Sequence, residues 1–389
     1  MLQTIARGIK TPIIKVNDKL DDIVVESIIK ASTEGNFKLN DRDVIGITES
    51  VVSISLGNYA TLDNIAIDIN DKFKTDHLGI VFPILSRNRF SILLKAFAKA
   101  KKELTILLSY PYDEVGNGIL DIATLTTLNI NPYSDSFDET FYRKHFGNYL
   151  HPYTKINMVD YYKELVNELG TKVNFIFSNN PLDIAKYTND VLVSDIHTRK
   201  KTKLILKTNK DLNVLGLDDI LTKPVNGSGY NSDYGLLGTN AATNDTVKMF
   251  PDSSQDLLLS IQDKLFKLTN KKLEVMIYGD GAFKDPVTGI WELADPVVSP
   301  GFTSGLIGSP NEVKLKYLVE TKFQNLQGKE LEDAVSKVIL EKSEDLKGQN
   351  ISLGTTPRSY TDLLGSLCDL VSGSGDKGTP VVLIQNYFK

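Results

Sequence analysis

Apolar and polar positions along the chain follow two periods, and together they predict helices that alternate with strands. Apolar residues recur at helical spacing over Leu20–Ala31, and acidic side chains fall on the opposite face. The β-branched run Asp43–Thr48 predicts a short strand, after which Glu49 can begin a helix. Pro12 disfavours helix in the residue before it, so we predict a short extended segment at Thr11–Ile14.

The same alternation continues to the end of the chain. The predicted helices are Arg87–Lys102, Met158–Leu169, Ser253–Thr269 with Asp252 or Ser253 as N-cap, and Tyr360–Val371. The predicted strands are Leu104–Ser109, Val173–Ser178, Leu273–Tyr278 and Pro380–Gln385. An aromatic stretch covers Tyr110–Tyr153, and a lysine-rich, solvated helical region covers Asn311–Leu346. Strands that alternate with helices favour a parallel or mixed sheet.

Composition narrows the class of protein. The 389 residues include 41% hydrophobic and 24% charged residues, as in ordinary globular proteins. The net charge of −5 gives no basic field, so no nucleic-acid partner is expected. The single cysteine, Cys368, excludes a disulfide within the chain. We see no signal peptide and no apolar run of membrane-spanning length, and we therefore expect a cytoplasmic protein without a membrane partner.

Three loops that combine glycines with polar residues are the main candidates for a ligand site. In Ser372–Thr379 (SGSGDKGT), glycines let the backbone approach a phosphate and Lys377 could meet its charge. This loop lacks the Walker A pattern, so a flexible surface turn is the alternative. In Tyr278–Pro286 (YGDGAFKDP), Asp280 could bind a divalent cation, with a common Asp-Gly turn as the alternative. In Asp233–Asn240 (DYGLLGTN), polar side chains offer uncharged hydrogen bonds, or simply close a turn.

Two charged clusters are further candidates. Asp195–Arg199 (DIHTR) places an acid, an imidazole and a guanidinium close together, and we favour local pairing on a surface helix. Ser86–Arg89 (SRNR) carries two arginines that could grip a carboxylate or phosphate, or could lie at a solvated helix start. Arg87, Arg89 and Arg199 are thus candidates for holding an anionic substrate. No histidine pair has the spacing of a zinc-binding helix.

The order of these segments resembles that of the coenzyme F-420 gamma-glutamyl ligase family. The stretches TPIIKVNDKLDDIVVESIIKA and LNDRDVIGITESVVSISLGNY look like the opening of that family. YGLLGTNAATNDTVKMFPDSSQDLLLSIQDKL is similar to its "G-x-D-x-S-N…PEDPD" segment, and YGDGAFKDP stands where it has a "D-T-F-G-R-P" turn. LVSGSGDKGTPVVLI resembles its terminal glycine-rich loop and strand.

The resemblance implies an α+β fold, with mixed sheets and helices like those of a gamma-glutamyl ligase and a large central insertion. It also implies a homodimeric, GTP-dependent ligase that activates a small-molecule acid, such as a coenzyme F-420 precursor, as an acyl phosphate. The amine of L-glutamate then attacks to form a gamma-glutamyl amide. The implied metal is Mg²⁺ or Mn²⁺, with K⁺ as a further candidate ion.

Site residues follow from the resemblance by matching position. Asp280 is the implied catalytic residue and metal ligand, with Gly281 and Ser374 as further metal contacts. The implied nucleotide-binding residues lie on four turns: Thr11, Pro12, Ile13, Glu49, Ser50, Asn240, Ser372, Gly373, Ser374, Gly375, Asp376, Lys377, Gly378 and Thr379.

Three positions depart from the family pattern. Leu237 stands in place of a metal-binding aspartate, and Ile54 in place of a basic residue. Lys284 keeps the charge of an arginine but loses its bidentate fork. Asp233 or Asp245 could replace the missing carboxylate. A nucleotide- or phosphate-binding protein without ligase activity is therefore a rival hypothesis, and a glutamate ligase for a folate-like acceptor is a third.

The predicted organisation has three parts. A ligase-like core combines residues 1–75, 215–310 and 350–389. Residues 76–214 form an inserted or expanded α/β region, and residues 311–349 form a helical insertion at the surface.

Overall fold

A computed structural model describes most of the chain. The described residues are 4–87, 89–152, 154–279, 299–342, 345–346, 348–352, 358–372 and 378–388. Their strands are β1 Ile5–Ile9, β2 Val44–Thr48, β3 Tyr59–Thr61, β4 His77–Val81, β5 Glu103–Leu108, β6 Phe137–Asp138, β7 Lys172–Phe177, β8 Asp190–Val193, β9 Asn213–Gly216, β10 Asn240–Ala241, β11 Thr246–Lys248, β12 Glu274–Tyr278 and β13 Val381–Gln385. Their α-helices are α1 Leu20–Glu34, α2 Glu49–Leu56, α3 Leu62–Lys72, α4 Phe90–Ala100, α5 Ile122–Thr127, α6 Glu139–Phe146, α7 Met158–Asn167, α8 Arg199–Leu206, α9 Gln255–Thr269, α10 Leu315–Thr321, α11 Gly328–Glu341 and α12 Tyr360–Ser372.

The first and last strands of the described chain meet in a four-stranded sheet of order β1-β13-β2-β12. Strand β13 is antiparallel to both of its neighbours, and β2 is parallel to β12. Successive side chains of β2 point to opposite faces. Ile45 and Ile47 pack with α1 and α9, whereas Val44 packs with α12 on the other face. The sheet is therefore covered on both sides by apolar helix faces.

A six-stranded sheet of order β6-β7-β5-β4-β8-β9 is built from residues 77–216, and β6 is its one antiparallel strand. Counted along the chain, its five parallel strands lie in the order 3-2-1-4-5, which is that of a doubly wound sheet. Helices α3, α4 and α7 pack on one face, and α8 packs on the other. The small antiparallel sheet β10-β11-β3 is formed by strands that come before and after this region in the sequence.

The mixture of helices and sheets confirms the predicted α+β fold and the predicted mixed sheets. Most predicted helices and strands occur within a few residues of their expected bounds. The region 311–346 forms α10 and α11, and α11 has no buried residue, as a solvated surface requires. The division into core and insertions stays a prediction. No helix in the described ranges is long and apolar enough to cross a membrane.

Two local predictions are wrong. The N-terminal strand is Ile5–Ile9, not Thr11–Ile14, because β1 finds its hydrogen-bonding partner in β13, and Pro12 has no N–H to donate. Helix α9 begins at Gln255, and its N-cap is Ser254 rather than Asp252 or Ser253. Ser254 has a left-handed backbone conformation. Its backbone N–H donates a hydrogen bond to the side chain of Asp252 at 2.8 Å.

Gly46 in β2 allows α12 to approach the sheet. A Cβ at Gly46 would lie 2.3 Å from the Sγ of buried Cys368. We expect Gly46→Ala to lower the free energy of unfolding by about 1–3 kcal/mol, because the added methyl group overpacks this contact. Urea unfolding of Gly46→Ala, Cys368→Ala and the double variant measures the coupling free energy between the two positions. We expect the double variant to lose less than the sum of the single losses, and strictly additive losses would contradict the proposed contact.

Candidate functional site

One edge of the four-stranded sheet gathers three of the turns predicted to bind nucleotide. The C-terminal ends of β1, β2 and β12 meet the start of β13 at this edge. The backbone N–H of Thr11 donates to the carbonyl of Gly378 at 3.3 Å, and that of Thr48 donates to the carbonyl of Pro380 at 2.9 Å. The turn at 11–13, the start of α2 and the end of the terminal loop therefore lie side by side.

The base of the terminal loop is closed by its own residues. The Oγ1 of Thr379 donates to the carbonyl of Ser372 at 2.6 Å, which joins the end of α12 to the approach to β13. Beside it, Pro12 and Ile13 are exposed, and the side chain of Ile13 is 88% accessible.

A buried ion pair lies at the same edge. The Nζ of Lys248 donates to both carboxylate oxygens of Glu49 at 3.2 Å, and the two side chains are 10% and 6% exposed. The predicted Asn240 lies opposite Lys248 on the neighbouring strand β10. A Cβ at Gly279 would lie 2.3 Å from the Cγ of Glu49, so Glu49 covers the backbone that leads to residue 280.

Lys248 is a site residue that the sequence analysis missed. Its signal is a lysine that stands between Val247 and the apolar pair Met249 and Phe250, all three of which are buried. Lysine is rarely buried unless it is paired, so such a position suggests a nearby carboxylate. Ser50, the neighbour of Glu49, is half-buried at the start of α2.

The described part of the edge does not form a metal cage. No three histidine, cysteine, aspartate or glutamate side chains among the described residues come close enough to hold a metal ion. Glu49 is already neutralised by Lys248. The predicted metal contacts and several predicted nucleotide contacts lie outside the described residues: Asp280, Gly281, Gly373, Ser374, Gly375, Asp376 and Lys377.

Two of the three departures from the family pattern, Leu237 and Ile54, lie among the described residues, and both have apolar surroundings. Leu237 is 1% exposed and packs in the core of the six-stranded sheet, and Ile54 packs in the core beside α1. Asp233 and Asp245, the candidates to replace the missing carboxylate, are both exposed.

Residues 195–198 form a turn after β8, and Arg199 is the first residue of α8. Asp195, His197 and Arg199 are all buried, so the predicted surface position of this cluster is wrong. Asp195 and His197 are 1% and 4% exposed, because β8 is an interior strand of the sheet. Arg199 lies 3.5 Å from Asp218 and donates to the carbonyl of Ile196, so its guanidinium supports the turn.

Glu114 reaches this turn from the segment after β5. Its carboxylate accepts hydrogen bonds from the backbone N–H groups of Ile196, His197 and Thr198, at 2.5, 3.0 and 3.1 Å. The Oγ1 of Thr198 lies 3.1 Å from the Glu114 carboxylate and also contacts that of Asp195. A hydroxyl has one proton to donate, so the second contact requires a proton on a carboxyl group.

Burial favours that protonation. Desolvation, together with the neighbouring Asp195 charge, raises the pKa of Glu114 to about 7 against the hydrogen bonds from Ile196 and Thr198. Desolvation also raises the pKa of Asp195 to about 6, although Thr198 and Thr202 donate to it. Both carboxyl groups therefore keep a proton to higher pH than exposed carboxyl groups do.

Comparison with known proteins identifies a matching family. The family model described as F420-0:Gamma-glutamyl ligase matches residues 8–386, nearly the whole chain. It agrees with the resemblance carried by the four segments. A search of curated proteins found no match.

We expect removal of one partner of the Glu49–Lys248 pair to cost more than removal of both. Lys248→Met leaves a buried carboxylate without its ammonium, which costs about 3–5 kcal/mol of unfolding free energy. Glu49→Leu combined with Lys248→Met removes both charges. Urea unfolding should find the double variant more stable than Lys248→Met, and the opposite order would refute the desolvated pair.

We expect Glu114 to make stability fall as pH rises. Its pKa is about 7 in the folded protein against an ordinary value of 4.5, so between these pH values the folded state binds the extra proton. Stability then decreases from about pH 4.5 to about pH 7, by about 3 kcal/mol at most. Unfolding of Glu114→Gln across this range should show a shallower fall. Glu168→Gln, at an exposed position, is the control, and equal slopes in both variants would contradict the assignment.

Proposed function

The chain belongs to the F420-0:Gamma-glutamyl ligase family, whose enzymes form gamma-glutamyl amide bonds, and we propose that it joins L-glutamate to a small-molecule acid with GTP and a divalent metal. The proposed acid is a coenzyme F-420 precursor or a similar compound. We further propose that the enzyme is a homodimer in the cytoplasm.

The observation that carries this proposal is the convergence at the edge of the four-stranded sheet. Thr11 and Gly378 are joined by a backbone hydrogen bond, and Glu49 lies over Gly279. These contacts bring together segments separated by more than 200 positions, each of which resembles a nucleotide- or metal-binding turn of the family. A site for a nucleoside triphosphate requires such a convergence, because several turns must reach one phosphate chain.

The proposed reaction has two steps. A carboxylate oxygen of the acid attacks the γ-phosphorus of GTP, the bond to the GDP oxygen breaks, and an acyl phosphate forms. The amine nitrogen of L-glutamate then attacks the acyl carbon, phosphate leaves, and the nitrogen loses a proton. A divalent ion offsets charge on the phosphates when bound, and Asp280 is its proposed ligand with Gly281 and Ser374.

The remaining residues have supporting roles in this proposal. Asn240 and the loop Ser372–Thr379 hold the nucleotide, with Thr11–Ile13 and Ser50 beside them. Lys248 neutralises Glu49, which lets a carboxylate lie buried against Gly279 without repelling the phosphates. The pair thus packs against Gly279, the last described residue before Asp280 in the sequence.

The burial of Leu237 favours one rival function. An apolar, 1% exposed side chain stands where the family has a metal-binding carboxylate, which supports a protein that binds nucleotide without ligating glutamate. A folate-like acceptor is the alternative within the ligase class.

We expect Asp280→Asn to abolish formation of the glutamyl amide while leaving thermal unfolding unchanged. The amide is followed with labelled L-glutamate, GTP or ATP, Mg²⁺ or Mn²⁺, and a panel that includes a coenzyme F-420 precursor and a folate-like acid. Asp263→Asn is the matched control, because Asp263 is an exposed partner of Lys267 on α9.

The outcomes separate the hypotheses. Normal turnover by Asp280→Asn would remove this residue from the mechanism. Nucleotide binding by the unaltered protein, with neither amide nor phosphate released for any acid in the panel, would favour the rival function.

A further inference from the structure

The six-stranded sheet has a crevice where its strand order reverses. Strands β4 and β8 are neighbours, but the chain leaves β4 toward β5 on one side and leaves β8 toward β9 on the other. The turns after such strands diverge and leave space between them. In doubly wound sheets, ligands bind outside the carboxyl ends of the strands at this point.

A cavity of about 760 Å³ occupies this crevice. It is lined by the turns after β4, β5, β8 and β9 and by the segment 236–239. Its apolar wall includes Leu85, Phe90, Leu93, Met158, Leu217 and Leu237. The volume is within the range of small-molecule sites, and the wall suits an apolar ring system.

Ser194 is a buried polar group that lines this cavity. Its side chain is 1% exposed, and its Oγ has no hydrogen-bond partner among the residues that the structure describes. A buried hydroxyl without a partner costs about 1–3 kcal/mol, so such groups call for an explanation. A ligand that accepts from or donates to Oγ would provide one.

Positive charge lines the same cavity. Arg87 and Arg89 both line it and directly precede α4, the 11-residue helix after the first strand of the sheet. The N-terminus of a helix favours an anion. The turn Pro83–Arg89 contains no glycine, so it does not form the glycine-rich cradle of dinucleotide-binding proteins. Here the arginines, rather than backbone N–H groups of glycines, supply the anion-binding groups.

We propose that this cavity binds an organic anion with an apolar ring system, whose rings lie against the Leu93–Met158 wall and whose carboxylate or phosphate lies at Arg87 and Arg89. The polar atoms of Ser194 and Thr239 lie along the wall and would orient the rings. None of the residues lining this cavity is among those assigned to the ligase reaction, and the existence of the cavity does not depend on that reaction.

The fluorescent probe 8-anilinonaphthalene-1-sulfonate tests the proposal, because it joins aromatic rings to an anionic sulfonate. We expect saturable binding of one probe per folded chain. Arg87→Ala combined with Arg89→Ala should weaken it roughly tenfold or more. Val115→Trp should abolish it, because Val115 lines the cavity and is 43% exposed, so the larger ring enters the mouth without disturbing the core.

Matched controls distinguish the effect of the probe's charge from nonspecific apolar binding and from unfolding of the variants. N-phenyl-1-naphthylamine has the same rings without the sulfonate, and the arginine variant should bind it as tightly as the unaltered protein does. Lys200→Ala and Leu340→Trp change exposed positions on α8 and α11, outside the cavity, and should leave both probes unaffected. Unsaturable binding would overturn the proposal, as would equal weakening of both probes by the arginine variant or undiminished binding in Val115→Trp.

Discussion

The insertion of the last strand between β1 and β2 is the constraint on which the ligase edge depends. Gln385 fixes this strand: its side-chain amide donates to Asp43 at 2.7 Å, and its oxygen accepts from Arg7 at 2.5 Å. The residue is 3% exposed, so these bonds are made where unpaired polar groups are costly. With β13 in place, the carbonyls of Gly378 and Pro380 accept from Thr11 and Thr48. The turns near both ends of the described chain therefore meet only when β13 has paired with β1 and β2.

The segment that returns from the doubly wound sheet connects the two sites. Gly238 lines the cavity, and a Cβ there would lie 2.9 Å from the ring of Phe250. A Cβ at Gly279 would lie 3.3 Å from the same ring. One buried ring therefore packs against the cavity wall on one side and against the backbone leading to Asp280 on the other. A close-packed interior has few voids that could absorb a displacement. A shift of the Phe250 ring would therefore disturb both sites.

The sequence predicts elements well where local periodicity and burial agree. Helix α1 and strand β2 have clear patterns, and both occur where expected. Strand β1 was misplaced because its pairing partner lies more than 370 residues away, and no local pattern encodes that pairing. The strands β10 and β11 have two and three residues, too few for a period to be visible.

The candidate site was predictable to the extent that it rests on family-like turns. Thr11, Glu49 and Gly378 were all implied by the family resemblance, and the structure brings them to one edge, although their roles stay predictions. Lys248 was missed because a lysine is usually exposed, and only the fold reveals that it faces Glu49. Asp195 was assigned to a surface helix because a polar run normally is solvated, whereas here it ends an interior strand.

That last error points to a physical distinction within the fold. Polar residues that contradict their local pattern tend to lie at functional sites, because elsewhere their burial only lowers stability. Around the switch-point cavity, Ser194, Asp195 and Glu114 are buried or half-buried on the turns after β8 and β5. Asp195 and Glu114 compete for one hydroxyl proton, and Ser194 lacks a partner among the described residues. An apolar side chain at position 194 would avoid the cost of a hydroxyl without a partner among the described residues, so stability alone does not explain Ser194, whereas recognition of a ligand would.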